Sequence, residues 1–137
     1  MFYGYLQELG ATADYYIPDR YAEGYGISMK AVQWAAQAGF KLIVSLDCGI
    51  RAVSCIQEAN ALGTDVIVCD HHEPGDKLPP AHAILDPKRS DCPYPAKELS
   101  GCGVGFKLLQ GLTQQQKLPT DRLYNYLDLV VVSFCSP

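Results

Sequence analysis

The chain has 137 residues, a net charge of −4 and a hydrophobic content of 48%. This length suits one domain, and the hydrophobic fraction is sufficient for a buried core. An acidic chain with a pI of about 5.2 lacks the overall basic field that attracts nucleic acid, although a bound metal ion can supply positive charge locally. The composition therefore indicates a globular domain and argues against a basic nucleic-acid-binding module.

The cysteines and the N-terminal segment indicate where the protein works. None of the six cysteines belongs to a C-x-x-C pair, which argues against a zinc ribbon or a thioredoxin-type motif. Cys48, Cys55 and Cys69 lie in or beside apolar segments and are interpreted as small buried hydrophobic residues in a reducing cytoplasm. The N-terminus does not resemble a signal peptide, and the apolar runs are too short to span a membrane. We expect a soluble cytoplasmic protein with no membrane partner.

The N-terminal third predicts a helix, a strand, a loop and a second helix. FYGYLQELGA is typical of a helix, ADYYIP is rich in strand-forming residues up to Pro18, and DRYAEGYGIS is a polar loop with glycines. Ser28 is a favourable N-cap for the helix SMKAVQWAAQAG. The predicted inner face of this helix holds Met29, Val32 and Ala36.

The middle of the chain alternates strand and helix patterns. KLIVSLD and TDVIVCD predict strands buried on both faces, HAILDP predicts a shorter strand, and RAVSCIQEANALG predicts a helix with Val53, Ile56 and Ala59 inside. VGFKLLQGLTQQQKL and DRLYNYLDLVVVSF predict two further helices after a polar linker. This order predicts an α/β fold with a mainly parallel sheet and flanking helices. We expect one domain, with an α/β core in residues 1–90 and a helical segment in 91–137.

Two predicted strands end in an aspartate. Asp47 and Asp70 are 23 residues apart, a length that suits one strand–helix–strand unit with parallel strands. Ligands of open α/β sheets bind beyond the carboxyl ends of the strands, where His71 and His72 also lie. Carboxylates and imidazoles together suit Mn²⁺, and two such ions about 4 Å apart can clamp the oxygens of a phosphate displacement. A polar turn that closes a strand is the alternative, because a three-residue Asp-His-His match is common by chance.

Four stretches extend this short motif into a longer pattern. They are PDRYAEGYGIS (18–28), SLDCGI (45–50), VCDHHEPG (68–75) and SGCGVGFKL (100–108). In this order and spacing the chain resembles the DHH phosphoesterase superfamily. The R-x-x-E-G-Y-G loop and the G-x-G-V-x-F-K-L segment favour its RecJ-type branch of single-strand-specific 5′-to-3′ DNA exonucleases.

The resemblance implies a role for each residue of the strand-end motifs. Asp47 matches the aspartate that bridges two metal ions, and His71 matches a metal ligand. His72 matches the histidine that faces the scissile phosphate, and Asp70 matches an aspartate that either ligates the metal or orients its neighbours. His72 and Asp70 are therefore the candidate catalytic residues, and Asp47, His71 and Asp70 the candidate ligands of Mn²⁺ or Mg²⁺.

Glycines and arginines are candidates for substrate binding. Gly101, Gly103 and Gly105 match a segment that brings backbone close to the active site in the superfamily. Glycines before a helix let N–H groups approach a phosphate, although close packing of the helix on the sheet explains them equally well. Arg20 and Arg51 are further candidates for phosphate contact, with simple solvation as the alternative.

The chain departs from the superfamily pattern at both ends. The first D-x-D-type motif would lie upstream of Met1, and the FCSP tail holds no in-register counterpart of the last metal-binding aspartate. We expect a partial DHH domain that lacks the C-terminal domains and has little or no activity alone. The isolated chain is expected either to have no partner or to self-associate through an exposed sheet edge. Single-stranded DNA is the expected partner of the complete protein. The alternatives are a DHH phosphoesterase for short RNA, cyclic dinucleotides or small phosphates, and a non-catalytic module that binds a nucleotide or a protein.

Overall fold

The computed structural model describes residues 1–135. In chain order, its helices and strands are α1 (Phe2–Glu8), α2 (Met29–Gln37), β1 (Leu42–Leu46), α3 (Val53–Ala61), β2 (Asp65–Cys69), β3 (Ala83–Leu85), α4 (Gly101–Gln115), α5 (Asp121–Tyr124) and α6 (Leu127–Cys135). Every helix in this part of the chain is too short or too polar to cross a bilayer. Ser136 and Pro137, the end of the FCSP tail, lie outside the described residues.

The strands form one parallel sheet in the order β1–β2–β3. Leu46 at the end of β1 pairs with Cys69 at the end of β2, and Cys69 pairs with Leu85 at the end of β3. The carboxyl ends of all three strands therefore meet at one rim of the sheet. This arrangement confirms the predicted α/β fold with a parallel sheet and flanking helices.

Helices cover both faces of the sheet. Successive side chains of a strand point to opposite faces. On β1, Ile43 packs into a cluster with residues of α2 and α3, whereas Leu46 lies against Gly105 of α4. The first cluster is centred on Val32, Ile56, Ala59, Val66 and Val68. Helices α2 and α3 therefore cover one face, and α4 covers the other.

A second apolar cluster joins the C-terminal helices to α1. Its buried members are Tyr5, Phe106, Leu109, Leu123 and Val130. The Tyr5 hydroxyl also forms a buried hydrogen bond of 2.7 Å with the Thr113 hydroxyl of α4. The helical part of the fold thus includes the first helix, and the division of the domain at residue 90 stays a prediction.

The predicted N-cap of α2 is confirmed, and α3 also ends at a typical capping residue. The Ser28 hydroxyl accepts the Ala31 N–H at 3.0 Å and caps α2 as expected. Helix α3 ends just before Gly63, which has the left-handed φ of 76° that favours glycine after a helix. Ile56 and Ala59 lie on its buried face.

Four local expectations were wrong. ADYYIP forms no strand among the described residues, because β-propensity alone does not decide whether a segment joins a sheet. KLIVSLD is an edge strand and is not buried on both faces, since Leu42 and Leu46 are 48% and 39% exposed. Met29 is 40% exposed and lies outside the inner face of α2. DRLYNYLDLVVVSF forms the separate helices α5 and α6 instead of one.

Replacing Leu109 tests the importance of the second cluster. Leu109 is fully buried, so Leu109→Ala should lower the free energy of unfolding by about 2 to 5 kcal/mol. Urea denaturation followed by circular dichroism measures this loss. Leu78→Ala is the matched control. Leu78 is 38% exposed, so its replacement should lower the free energy of unfolding clearly less. Equal losses in the two variants would contradict this description of the core.

Candidate metal centre

Three side chains converge at the rim of the sheet. Asp47 directly follows β1, and His71 and His72 follow the last residue of β2 by two and three residues. Each offers one ligand atom, and these atoms lie within 4.8 Å of one another. The Asp47 Oδ1 atom lies 3.0 Å from the His71 Nε2 atom. The parallel pairing of β1 and β2 brings these residues together, as their spacing in the sequence predicted.

The backbone of Asp47 has an unusual conformation. Its φ of 63° lies in the left-handed region, which asparagine and aspartate tolerate better than most residues. Its N–H continues the sheet ladder by donating to the Cys69 carbonyl at 2.9 Å, and its own carbonyl accepts the Tyr25 hydroxyl at 2.7 Å. These two hydrogen bonds fix the turn that directs the Asp47 side chain to the rim.

Asp70 is buried beneath the two histidines and is only 1% exposed. Its Oδ2 atom accepts the Ile50 N–H at 2.9 Å. Its Oδ1 atom accepts the backbone N–H groups of His71 and His72 and lies 2.6 Å from the His72 Nδ1 atom. Burial alone raises the pKa of Asp70, but these donors outweigh it and the pKa is lowered. Asp70 lies outside the trio of ligand atoms, an arrangement that suits an orienting role.

The hydrogen bond to Asp70 sets the orientation of the His72 ring. An ionised carboxylate only accepts, so the Nδ1 atom of His72 carries a proton. The Nε2 atom is then turned toward the rim, where it lies 3.5 Å from the Tyr25 hydroxyl oxygen. The rings of His72 and Tyr25 meet edge to face with their centroids 5.8 Å apart.

Tyr25 is a residue of the site that the sequence interpretation missed. It contacts both Asp47 and His72, and burial is the main cause that raises its pKa. Glu23 anchors the loop that carries it, by accepting hydrogen bonds from the Ser28 and Tyr16 hydroxyls. The signal in the sequence is an aromatic residue between two glycines in E-G-Y-G, in the same loop as Arg20.

A third strand also ends in an aspartate that was not considered. Asp86 follows β3 directly and is 3% exposed. Its Oδ2 atom is the buried side-chain oxygen without a hydrogen-bond partner in the described part of the chain. Burial raises its pKa, and the charges of Asp70 and Glu73 act in the same direction. Asp86 thus follows the same pattern as Asp47 and Asp70, an aspartate directly after a strand.

The three candidate glycines have different surroundings. They lie inside the first turns of α4, not in a loop before it as expected. A Cβ atom on Gly101 would lie 2.1 Å from the Asp47 Oδ1 atom, so this glycine borders the site. A Cβ atom on Gly105 would lie 3.1 Å from Leu46, which is a packing contact between helix and sheet. Gly103 donates its N–H to the N-cap serine of the same helix at 3.1 Å.

The two candidate arginines have different contacts. The Arg20 guanidinium is 5.6 Å from the centroid of the Tyr25 ring. The Arg51 Nε atom donates to the Glu73 carbonyl at 2.8 Å and thereby holds the loop that follows the histidines. Arg20 therefore contacts a residue of the site, Tyr25, whereas Arg51 contacts the loop that follows the histidines.

Comparison with known proteins places this geometry in a family. Residues 1–133 match the model described as the DHH family, N-terminal domain. The chain belongs to the DHH family. This DHH domain is 51% identical, over 78% of its length, to the single-stranded-DNA-specific exonuclease RecJ of Bacillus subtilis (strain 168). It is 39% identical, over 93% of its length, to the protein of the same name from Escherichia coli (strain K12).

A solved structure agrees with the sequence comparisons. The crystal structure of exonuclease RecJ bound to manganese aligns with 93% of this DHH domain, with a TM-score of 0.81 and 36% sequence identity. The domain spans 32% of that chain, and 14% and 24% of the Bacillus and Escherichia proteins. The alignment supports the observed α/β fold, because it includes 93% of the chain.

The side chains of this DHH domain fit a divalent metal ion. The trio combines one carboxylate with two imidazoles, a mixed oxygen and nitrogen set that suits Mn²⁺. Asp70 supports the set by binding the ring of His72, in the way that carboxylates orient metal-binding histidines. The chemistry of the donors and their spacing therefore agree with the manganese in the related structure.

Replacing Asp70 tests the hydrogen bonds beneath the site. A carboxylate with a lowered pKa stabilises the fold above its unfolded pKa of about 4, and this stabilisation is lost as the pH falls through the folded pKa. Asp70→Asn should lower the free energy of unfolding by about 2 kcal/mol or more at pH 7 and by clearly less at pH 3. Urea denaturation at both pH values measures the difference.

The exposed Asp76 provides the control for this experiment. Asp76→Asn changes the same functional group on the surface and should have little effect at either pH. A loss for Asp70→Asn that does not depend on pH would contradict the assignment of an ionised, hydrogen-bonded carboxylate.

Proposed function

We propose that this chain is the metal-binding part of a RecJ-type exonuclease, a hydrolase that cleaves phosphodiester bonds of single-stranded DNA. The observation that carries the proposal is the convergence of Asp47, His71 and His72 at the rim of the sheet, within 4.8 Å of one another. The relatives are named for activity on single-stranded DNA. The partner of the complete protein is accordingly single-stranded DNA.

Each residue of the site has a separate task in this proposal. Asp47 and His71 hold Mn²⁺ or Mg²⁺, and the bound ion supplies neutralisation of the charge that develops on the scissile phosphate. Asp70 holds the His72 Nδ1 proton and keeps the ring in place. The His72 Nε2 atom faces the rim, and we assign to this ring the side of the site that meets the scissile phosphate. Tyr25 limits the movement of this ring by edge-to-face contact.

Positive and partly positive groups around the trio suit a phosphate backbone. Arg20 carries its charge above the Tyr25 ring and is our candidate for the first contact with the strand. Arg51 holds the loop after the histidines by its Nε atom. Gly101 begins α4 and lies directly beside Asp47. The backbone N–H groups at this helix N-terminus favour anions.

The described site suits binding of one metal ion better than complete catalysis. The trio supplies three ligand atoms, and two-metal hydrolysis requires a coordination shell for each of two ions. We therefore expect the chain alone to hydrolyse DNA slowly or not at all.

The six free cysteines agree with work in a reducing cytoplasm. The outer edge of β1 pairs with no other described strand, and we propose it as the edge for self-association.

Binding of Mn²⁺ tests the metal centre directly. Paramagnetic Mn²⁺ should broaden the imidazole NMR signals of His71 and His72 at low concentration, and His71→Ala or Asp47→Asn should raise the required concentration about 10-fold or more. His82→Ala is the matched control, because His82 is exposed and lies outside the trio. Unchanged broadening in the Asp47 and His71 variants would favour a non-catalytic module.

Activity distinguishes DNA from the other substrates of the superfamily. A chimera with residues 1–135 between the flanking segments of the Bacillus relative should release mononucleotides from single-stranded DNA in the presence of Mn²⁺. Within it, His72→Ala should lower the rate about 100-fold or more, and His82→Ala should leave the rate unchanged. Faster hydrolysis of short RNA or of a cyclic dinucleotide would instead assign the chain to another DHH phosphoesterase.

A further inference from the structure

The first residue of α4 leaves no room for a side chain. A Cβ atom built on Gly101 would lie 2.1, 2.5 and 2.6 Å from the Oδ1, Cγ and Cβ atoms of Asp47. Real Cβ atoms essentially never approach another heavy atom within 3.0 Å. The backbone of Gly101 is helical, so its conformation does not require glycine. Close approach to Asp47 is therefore the reason for a glycine at this position.

Asp47 is poorly able to move away from such a contact. Its N–H binds the Cys69 carbonyl, and its carbonyl binds the Tyr25 hydroxyl. The contact on Gly101 also includes the Asp47 Cβ atom, whose position follows from the backbone and not from rotation of the side chain. A methyl group here must therefore displace backbone as well as the carboxylate.

The N-terminus of α4 is held equally firmly. The Ser100 hydroxyl accepts the Gly103 N–H at 3.1 Å and lies 2.6 Å from the Ser133 hydroxyl of α6. The Ser133 hydroxyl in turn donates to the Val130 carbonyl at 2.8 Å. These bonds tie the beginning of α4 to α6 and limit its retreat from the rim.

We propose that Gly101 is a positioning residue for the metal centre, because its missing side chain provides the space in which the Asp47 carboxylate lies against His71. The Asp47 Oδ1 atom is the atom that a Cβ on Gly101 would approach most closely. The same atom lies 3.0 Å from the His71 Nε2 atom. The N-terminal end of the 15-residue helix α4 also favours a carboxylate at this place. This inference rests on the proposed function, since it concerns a ligand of the proposed metal ion.

The same helix provides a matched control. Gly111 lies in the interior of α4, and a Cβ atom there would meet nothing within 4 Å. Gly111→Ala and Gly101→Ala thus make the same chemical change in one helix, with contact at one site only. Alanine favours helix over glycine at both positions, so a loss at Gly101 alone identifies the contact with Asp47.

A double-mutant cycle in the full chain tests the contact without metal. Gly101→Ala should lower the urea midpoint of unfolding, whereas Gly111→Ala should keep or raise it. Asp47→Gly removes the three contacting atoms and accepts the φ of 63°, so adding Gly101→Ala in this background should leave the midpoint nearly unchanged. If Gly101→Ala lowers the urea midpoint equally in the unmodified chain and in Asp47→Gly, the inference is overturned. If Gly101→Ala does not fold, folding of the double variant supports the contact, and its failure to fold overturns it.

Mn²⁺ titration then tests whether the contact positions the ligand. Gly101→Ala should raise the Mn²⁺ concentration that broadens the His71 ring signals about 10-fold, and should shift these signals before any Mn²⁺ is added. Gly111→Ala should match the unmodified chain in both measurements. The inference is overturned if Gly101→Ala needs the same Mn²⁺ concentration for broadening as the unmodified chain and shows the same His71 ring signals without Mn²⁺.

Failure of the inference and failure of the proposed function give different results. If Asp47→Asn and His71→Ala bind Mn²⁺ as the unmodified chain does, the proposed metal centre is wrong, and with it the positioning role of Gly101. If these variants lose Mn²⁺ binding while Gly101→Ala retains it, the metal centre stands and only the role of Gly101 is wrong.

Discussion

The buried carboxylate of Asp70 is the interaction on which the geometry of the site depends. It accepts a hydrogen bond from the Ile50 N–H in the turn after β1. It also accepts hydrogen bonds from the backbone N–H groups of His71 and His72 in the turn after β2. One group thus joins the two loops that carry the candidate ligands. Because a buried charge is stable only when it is well hydrogen-bonded, loss of one donor disturbs both loops.

The second constraint is the position of Asp47. It combines a left-handed backbone, hydrogen bonds to Cys69 and Tyr25, and a side chain packed against the backbone of Gly101. Residues in rare conformations persist where the surroundings over-determine them, and such places are often functional. Here the surroundings come from the sheet, from the loop of residues 18–28 and from α4, which explains why three separate motifs are needed for one ligand.

Much of the fold and part of the site could be predicted from the sequence. Apolar runs alternating with helical patterns predicted the parallel sheet, and strand-end positions predicted that Asp47, His71 and His72 would meet. Tyr25 was missed, because its contacts depend on how a loop folds over the rim. The strand expected in ADYYIP was wrong, since β-propensity depends on tertiary context and does not by itself place a segment in a sheet.

The sequence by itself determined which side chains lie at the ends of the strands. The lengths of β1, α3 and β2 leave few ways to connect parallel neighbours, so the residues that follow β1 and β2 must lie at the same edge of the sheet. Only the tertiary structure decided the direction of each side chain. It turned Asp70 toward backbone donors, His72 toward Tyr25, and Asp47 toward Gly101. These directions result from contacts between segments that are far apart in the chain, and local sequence patterns carry no information about such contacts.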